Sequence, residues 1–161
     1  LIEPMTIDTL PSRRGKPVAA LAFDFGTQRI GVAFGQSISA TARAVTVLKA
    51  RDGMPDWENI QQLVNEWKPD LFVVGLPYNL DGSESELLAR AIKFANRLNG
   101  RFNIPCFGID ERLSSKAAIE RVVEENSGDR KKAAIDDVAA QIILENWFAE
   151  YLRETEEDKG A

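Results

Sequence analysis

Carboxylates stand at three places in this chain where an apolar segment ends or a helical pattern opens. Asp24 follows the apolar run Val18–Phe23, with Gly26 and Gly31 close behind it. Asp110 and Glu111 close a second run, Ile104–Ile109, and Asp136 and Asp137 open the last helical pattern. An acid at the end of a buried strand, beside glycines that let the backbone turn, suits a metal or phosphate site. It also suits a hairpin with an Asx-type turn, which Asp and Gly favour too.

On a helical wheel Asp136 shares its direction with Ala140, Ile143 and Trp147, the face that must pack on a sheet. Asp137 turns to the flank, near Leu144 and Gln141. A carboxylate aimed at a core is costly unless paired or metal-bound. Alternatively, either acid complements the positive end of the helix dipole from its first turn. Taken alone, Asp136 favours that alternative; counted with Asp24 and Glu111, it favours the shared site.

The chain has no histidine. That removes Ser-His-Asp and Cys-His nucleophiles, histidine bases and the usual zinc sites together. The one cysteine, Cys106, lies in an apolar stretch, excludes an internal disulfide and is expected as a buried structural thiol. Three hard oxygen ligands suit Mg²⁺ or Mn²⁺, ions that activate water and stabilise both oxygens of a phosphoryl displacement. Such cations would also depress the acids' pKa values.

These acids need a scaffold. Val18–Phe25, Ile30–Gln36 and Ser39–Leu48 read as three antiparallel strands with short connections. Gly53, Pro55 and Asp56 introduce a helix whose apolar face is Trp57, Ile60, Leu63, Val64 and Trp67, ended by Pro69. Leu71–Leu76 is continuously apolar, as in a strand covered on both faces. Ser83 to Glu86 matches a capping box for a helix to about Asn99, and Ile104–Ile109 is the fifth strand. Ser114 is a natural N-cap for a helix to about Glu125, Asn126–Ala134 reads as a loop, and a last helix runs from about Asp136 to Arg153. The prediction is an α/β mixed sheet of five strands, three antiparallel and then parallel, with helices on both faces. Residues 1–16 are expected as a flexible arm, 17–153 as one domain and 154–161 as an acidic tail.

With 161 residues there is room for one core. A net charge of −5 argues against a uniformly cationic surface but not against a local basic groove, because distribution decides that. No apolar run reaches the roughly 18 residues of a membrane span. Residues 1–17 lack the apolar core of a secretory signal, and a cytoplasmic location is expected.

Four ordered motifs then carry a resemblance. Asp24-Phe25-Gly26 with Arg29-Ile30-Gly31, Val74-Gly75-Leu76-Pro77 with Asp81-Gly82-Ser83, Asp110-Glu111-Arg112-Leu113-Ser114, and Ile135-Asp136 with Ala139-Ala140 resemble the YqgF family. The resemblance covers roughly residues 17–152. It implies an RNase H-like fold related to Holliday junction resolvases and a metal-dependent nuclease that processes pre-16S rRNA. By similarity, Asp24, Glu111 and Asp136 take the places of the family's catalytic acids and metal ligands, with Asp137 as an alternate. The implied partners are nucleic acid, precursor rRNA first and branched DNA second, and ribosomal particles, for a monomer or homodimer.

Around the acids, Arg29 and Arg112 suit either phosphates or neighbouring carboxylates. Lys116, in the first turn of its helix and opposed by the dipole, suits a phosphate better than a structural charge. The Asn79–Ser83 loop could offer backbone N–H groups to a phosphate or be a simple turn. Arg130, Lys131 and Lys132 read as a solvated run or as a clamp on nucleic acid. Trp57, Trp67 and Trp147 lie on apolar helix faces and are expected in the core. Two other functions fit the residues less well. The Asp24-x-Gly26-Thr27 turn resembles the first phosphate turn of actin-like ATPases, but the chain lacks room for their second lobe. A nucleic-acid-binding assembly factor without cleavage is the other.

Overall fold

Ala19–Asp24 forms β1, the strand about which the sheet is built. In the computed structural model, residues 7–11, 16–79, 81–111 and 131–160 are described, the last without the side chains of 131–137 and 154–160. After β1 come β2 (Arg29–Gln36), β3 (Thr41–Arg51), β4 (Met54–Pro55), α1 (Trp57–Trp67) and β5 (Leu71–Leu76). They are followed by α2 (Glu86–Phe102), β6 (Cys106–Asp110) and α3 (Lys131–Gly160). The sheet order is β4-β3-β2-β1-β5-β6. As expected, β1, β2 and β3 are antiparallel neighbours, while β5 and β6 lie parallel to β1 and to each other.

The sheet has six strands rather than the five predicted. The extra one, β4, is two residues long and pairs with Ala50 and Arg51 after a turn through Asp52 and Gly53, both at positive φ. Two residues cannot display a strand's alternation, which is why the sequence hides it. The same pairing carries β3 three residues past its predicted end at Leu48.

Alternation along β1 sorts the core into two layers. Leu21 and Phe23 face α1 and α2, where Phe23 meets Phe72 and Phe94 edge-on at 5.7 and 5.6 Å. Ala20 and Ala22 face Ile143, Leu144, Trp147, Phe148 and Tyr151 of α3. Small alanines beneath large aromatics let α3 lie close to the sheet. The predicted apolar direction of this helix is the one used: Ala140, Ile143 and Trp147 are fully or almost fully buried.

Helix ends show what local sequence can and cannot specify. Asp56 caps α1 by accepting from the Glu58 N–H, and Lys68 closes it in the left-handed conformation. For α2 the cap is Ser85, which accepts from the Leu88 N–H at 2.9 Å, and not the expected Ser83. Ser83 is instead held by Asp81, 2.6 Å from its hydroxyl. Helix α2 ends at Phe102, three residues beyond the expected Asn99, because Asn103 takes the left-handed closing position. Helix α3 starts at Lys131, inside the segment read as a loop; Lys131-Lys132-Ala133-Ala134 are good helix formers with no stop signal. The helix predicted from Ser114 to Glu125 lies outside the described residues.

Part of the N-terminal arm is tied down. Asp8 accepts a hydrogen bond from the Gly108 N–H on β6 at 2.9 Å, and Thr9 accepts one from the Trp147 indole at 2.6 Å. Farther along α3, the Tyr151 hydroxyl donates to the Lys16 carbonyl just before β1. Helix α3 therefore runs antiparallel to β1, and its N-terminal half lies toward the carboxyl ends of β1, β5 and β6.

Replacing Trp147 by Phe keeps the ring packing and removes the indole donor to Thr9. The expected cost is about 1 kcal/mol, with faster amide exchange at Gly108 as the arm loosens. Unchanged exchange at Gly108 would show that other contacts hold the arm.

Candidate active site

Strand register brings two of the predicted acids together. Phe23 pairs with Val74 on β5, and Gly75 pairs with Ile109 on β6. Asp24, one step past Phe23, thus comes beside Gly75, and Glu111 follows β6 directly. Alternation turns Asp24, Gly75 and Glu111 all to the α3 side of the sheet. There the Asp24 and Glu111 side chains are hydrogen-bonded to each other.

Gly75 makes the room. A methyl group built on it would lie 2.6 Å from Glu111 Oε1 and 2.6 Å from Ile143 Cδ1. No real Cβ tolerates such contacts, so the Glu111 carboxyl and the α3 side chain occupy the space a larger residue would take. Glycine here serves close approach of side chains rather than a special backbone angle.

Burial pushes the Glu111 pKa above its ordinary value; the bond to Asp24 acts in the opposite direction, and the charge of Asp110 adds to the rise. Two carboxyls in contact hold a proton between them or need a cation, since like charges at this range repel strongly. Among the described residues no group of three acids or cysteines is arranged to hold an ion.

The remaining predicted residues divide by position. The backbone of Asp136 and Asp137 is helical, and their side chains lie outside the described residues. Position 136 is seven residues, two helical turns, before Ile143, on the stripe that faces the sheet. With α3 beginning at Lys131, positions 136 and 137 fall beyond its first turn, which weakens the dipole explanation for them. Arg29 is exposed at the start of β2, two residues before Gly31, the partner of Asp24, and so on the same face as that acid. Arg112, Lys116 and Arg130 lie outside the described residues, as do the side chains of Lys131 and Lys132 at the start of α3.

The described residues of the Asn79–Ser83 loop hydrogen-bond to one another. Asn79 N–H donates to Ser83, Gly82 N–H to Asn79, and Ser83 N–H to the Asp81 carboxylate. Those three amides are not free for a phosphate. Cys106 is a free thiol that burial pushes far above its usual pKa, in keeping with a structural role. Trp147 is fully buried; Trp57 stacks on Phe94, and Trp67 lies against Phe34.

One charged feature escaped the sequence reading. Arg90, Lys93, Arg97 and Arg101 recur along α2 at helical spacing, and residues 87–102 contain no acid. The signal was present as a run of cations on the face opposite Leu88, Ala91, Ala95 and Leu98.

Comparison with known proteins agrees with this architecture. Residues 18–150 match the family model RuvX, described as Holliday junction resolvase. A Pseudomonas aeruginosa protein named "Putative pre-16S rRNA nuclease" is 50% identical over 132 residues, 81% of this chain and 92% of that protein. A Haemophilus influenzae protein of the same name is 52% identical over 137 residues, 83% of this chain and 99% of that protein. The Thermus thermophilus RuvC structure superposes with a TM-score of 0.51 at 12% identity, covering 82% of this chain and 95% of that one. At that identity it speaks for the fold alone, which is mixed α/β and RNase H-like.

Two predictions come from the acid pair. Glu111 is protonated in folded and unfolded chains below about 4.5, so no stability is lost there. As pH rises through its elevated folded value, ionising it in place costs the fold stability. In EDTA, Glu111→Gln is therefore expected to raise Tm on the alkaline side of that transition and to flatten the fall of stability as pH rises from about 4.5. Parallel melting curves for both proteins would rule this out. Gly75→Ala is expected to lower divalent-ion affinity about tenfold with the fold retained, read by calorimetric titration.

Proposed function

We propose that this chain, which belongs to the RuvX (YqgF) family of Holliday junction resolvases, is a metal-dependent nuclease that hydrolyses phosphodiester bonds in structured nucleic acid. The observation that carries this reading is the contact of Asp24 and Glu111 over Gly75 at the carboxyl end of the sheet. Ligands of open α/β sheets gather at that end. Asp136 is the proposed third acid, with Asp137 as its alternate.

The donor set fits a hard divalent cation. Two carboxyls in contact, one of them pushed toward its neutral form by burial, carry a repulsion that Mg²⁺ or Mn²⁺ would relieve. Bound there, such ions would lower the pKa of water and stabilise the charge developing on the phosphate oxygens. Asp24 and Glu111 would hold the ions from the ends of β1 and β6, the two strands that flank β5, so sheet register sets how far apart those ends lie. Gly75 and Ile143 restrict Glu111 to one approach. Glu111 must be ionised to serve as a ligand, so protons compete with the cation and metal affinity should fall as pH is lowered.

Precursor 16S rRNA is the favoured substrate, by extension from the names of the relatives that are about half identical. A four-way DNA junction is the second reading, favoured by the family description; cutting it in two strands would call for a symmetric dimer. No described helix is long and apolar enough to cross a membrane. The proposed site of action is the cytoplasm, on precursor ribosomal particles.

Labelled precursor rRNA and a four-way junction, each incubated with Mg²⁺, Mn²⁺ or EDTA, provide the test. Cleavage is expected only with metal, and Asp24→Asn or Glu111→Gln should each reduce it at least about a hundredfold. Cleavage that survives both substitutions would sink the carboxylate mechanism. Tight binding without cleavage under any metal would make the protein an assembly factor instead.

A further inference from the structure

The cations of α2 form a feature on the face of the sheet opposite the acid pair. On the helical wheel Arg90, Lys93, Arg97 and Arg101 fall within one narrow sector, a stripe about 16 Å long. The stripe borders an open cup of about 270 Å³ lined by Phe25, Gly53 and Met54, by Arg90, Lys93 and Arg97, and by the Asp52 that pairs with Arg90. Phe25 is the residue after Asp24, so the cup opens at the same end of the sheet as the acids, on its other face.

Two of the four cations are fixed in place. Arg90 donates to both the carbonyl and the carboxylate of Asp52 at 2.6 Å, and its side chain keeps about a third of its exposure. The Arg101 guanidinium lies 4.4 Å over the Trp57 ring. Lys93 and Arg97 between them are exposed and have no ion-pair partner among the described residues. Gly53 keeps the cup open: a methyl there would lie 2.8 Å from Phe25 and 3.5 Å from the Arg90 guanidinium. Hydrogen bonds from Ala50 to Gln28 and from Gly53 to Thr27 lock this turn against the turn that follows Asp24.

Glu86 is the one acid of α2 and lies in its first turn, so the stripe from Lys93 to Arg101 has no other acid on its own helix to offset the repulsion between its cations, and an anionic partner would relieve it. An extended polyanion fits better than a single phosphate, because the charges are spread along a helix rather than gathered at one point. We propose that α2 and the cup beside Phe25 form a phosphate-backbone track that holds a nucleic-acid strand leading to or from the Asp24–Glu111 pair. The track rests on the nuclease reading for its direction, but its binding can be measured separately from cleavage.

Binding of a labelled RNA hairpin and of a four-way DNA junction is measured by fluorescence anisotropy in EDTA, across 50–300 mM salt. Wild type is compared with Lys93→Gln/Arg97→Gln and with a control, Lys68→Gln/Arg153→Gln, that neutralises the same charge elsewhere. The α2 variant is expected to bind about tenfold more weakly at 100 mM salt, with a log–log salt slope shallower by about 1–2. The control should match wild type. Loss on both polymers, or on one of them, supports the track and identifies what it carries. Equal affinity and slope in all three proteins overturn it, as does a wild type that binds neither polymer. Stripe-dependent binding by a wild type that cleaves nothing would leave the track standing and remove the nuclease reading.

Discussion

The structure depends on one electrostatic conflict. Register between β1, β5 and β6 brings Asp24 and Glu111 into contact beneath α3. Glu111 cannot swing freely, because it lies across Gly75 close to Ile143, and Asp24 is half-buried at the end of a strand whose interior is buried. With both acids ionised, the fold would hold a repulsion between them. A shared proton relieves it at low pH, and cations would relieve it at neutral pH. Stability and chemistry are opposed at this point, which is the expected behaviour of a site organised for binding charge.

The two faces of the sheet are built differently, and the difference serves this pair. On the α1 and α2 face, Phe23, Phe72 and Phe94 fill a thick aromatic layer. On the α3 face, Ala20 and Ala22 leave space for the helix to descend onto the strands. That close approach puts Ile143 over Gly75 and directs the helix stripe leading back to position 136 toward the carboxyl ends of the strands. Large residues at 20 and 22 would lift α3 and open the wall around Glu111. The core composition of one strand thus bears on the geometry of a site at its end.

Most of this arrangement was legible in residue patterns because the patterns are periodic. The apolar runs of β1 and β5 and the 3.6-residue stripe of Trp57 to Trp67 each marked an element. What stayed hidden depended on partners distant in sequence. β4 exists only because Ala50 and Arg51 have an open edge to offer. Ser85 rather than Ser83 caps α2 because Asp81 already engages Ser83 and because the Ser85 hydroxyl also donates to the Pro77 carbonyl at 2.9 Å. For the acids, strand ends gave the location of Asp24 and Glu111, whereas their hydrogen bond and the room left by Gly75 required the register across three strands.

Net charge was the least informative number in the sequence. The sum of −5 includes Glu154, Glu156, Glu157 and Asp158 at one end of the chain and the acids gathered at the strand ends. Removed from that sum, α2 is a strongly basic surface in its own right. At physiological salt, fields fade within about 8 Å, so a substrate near α2 responds to the charges around it rather than to the sum over the chain. The same screening lets acids and cations coexist on opposite faces of one sheet end. Under the proposed function, a polyanion drawn to the stripe would meet repulsion at an ionised carboxylate pair, and bound cations would remove it.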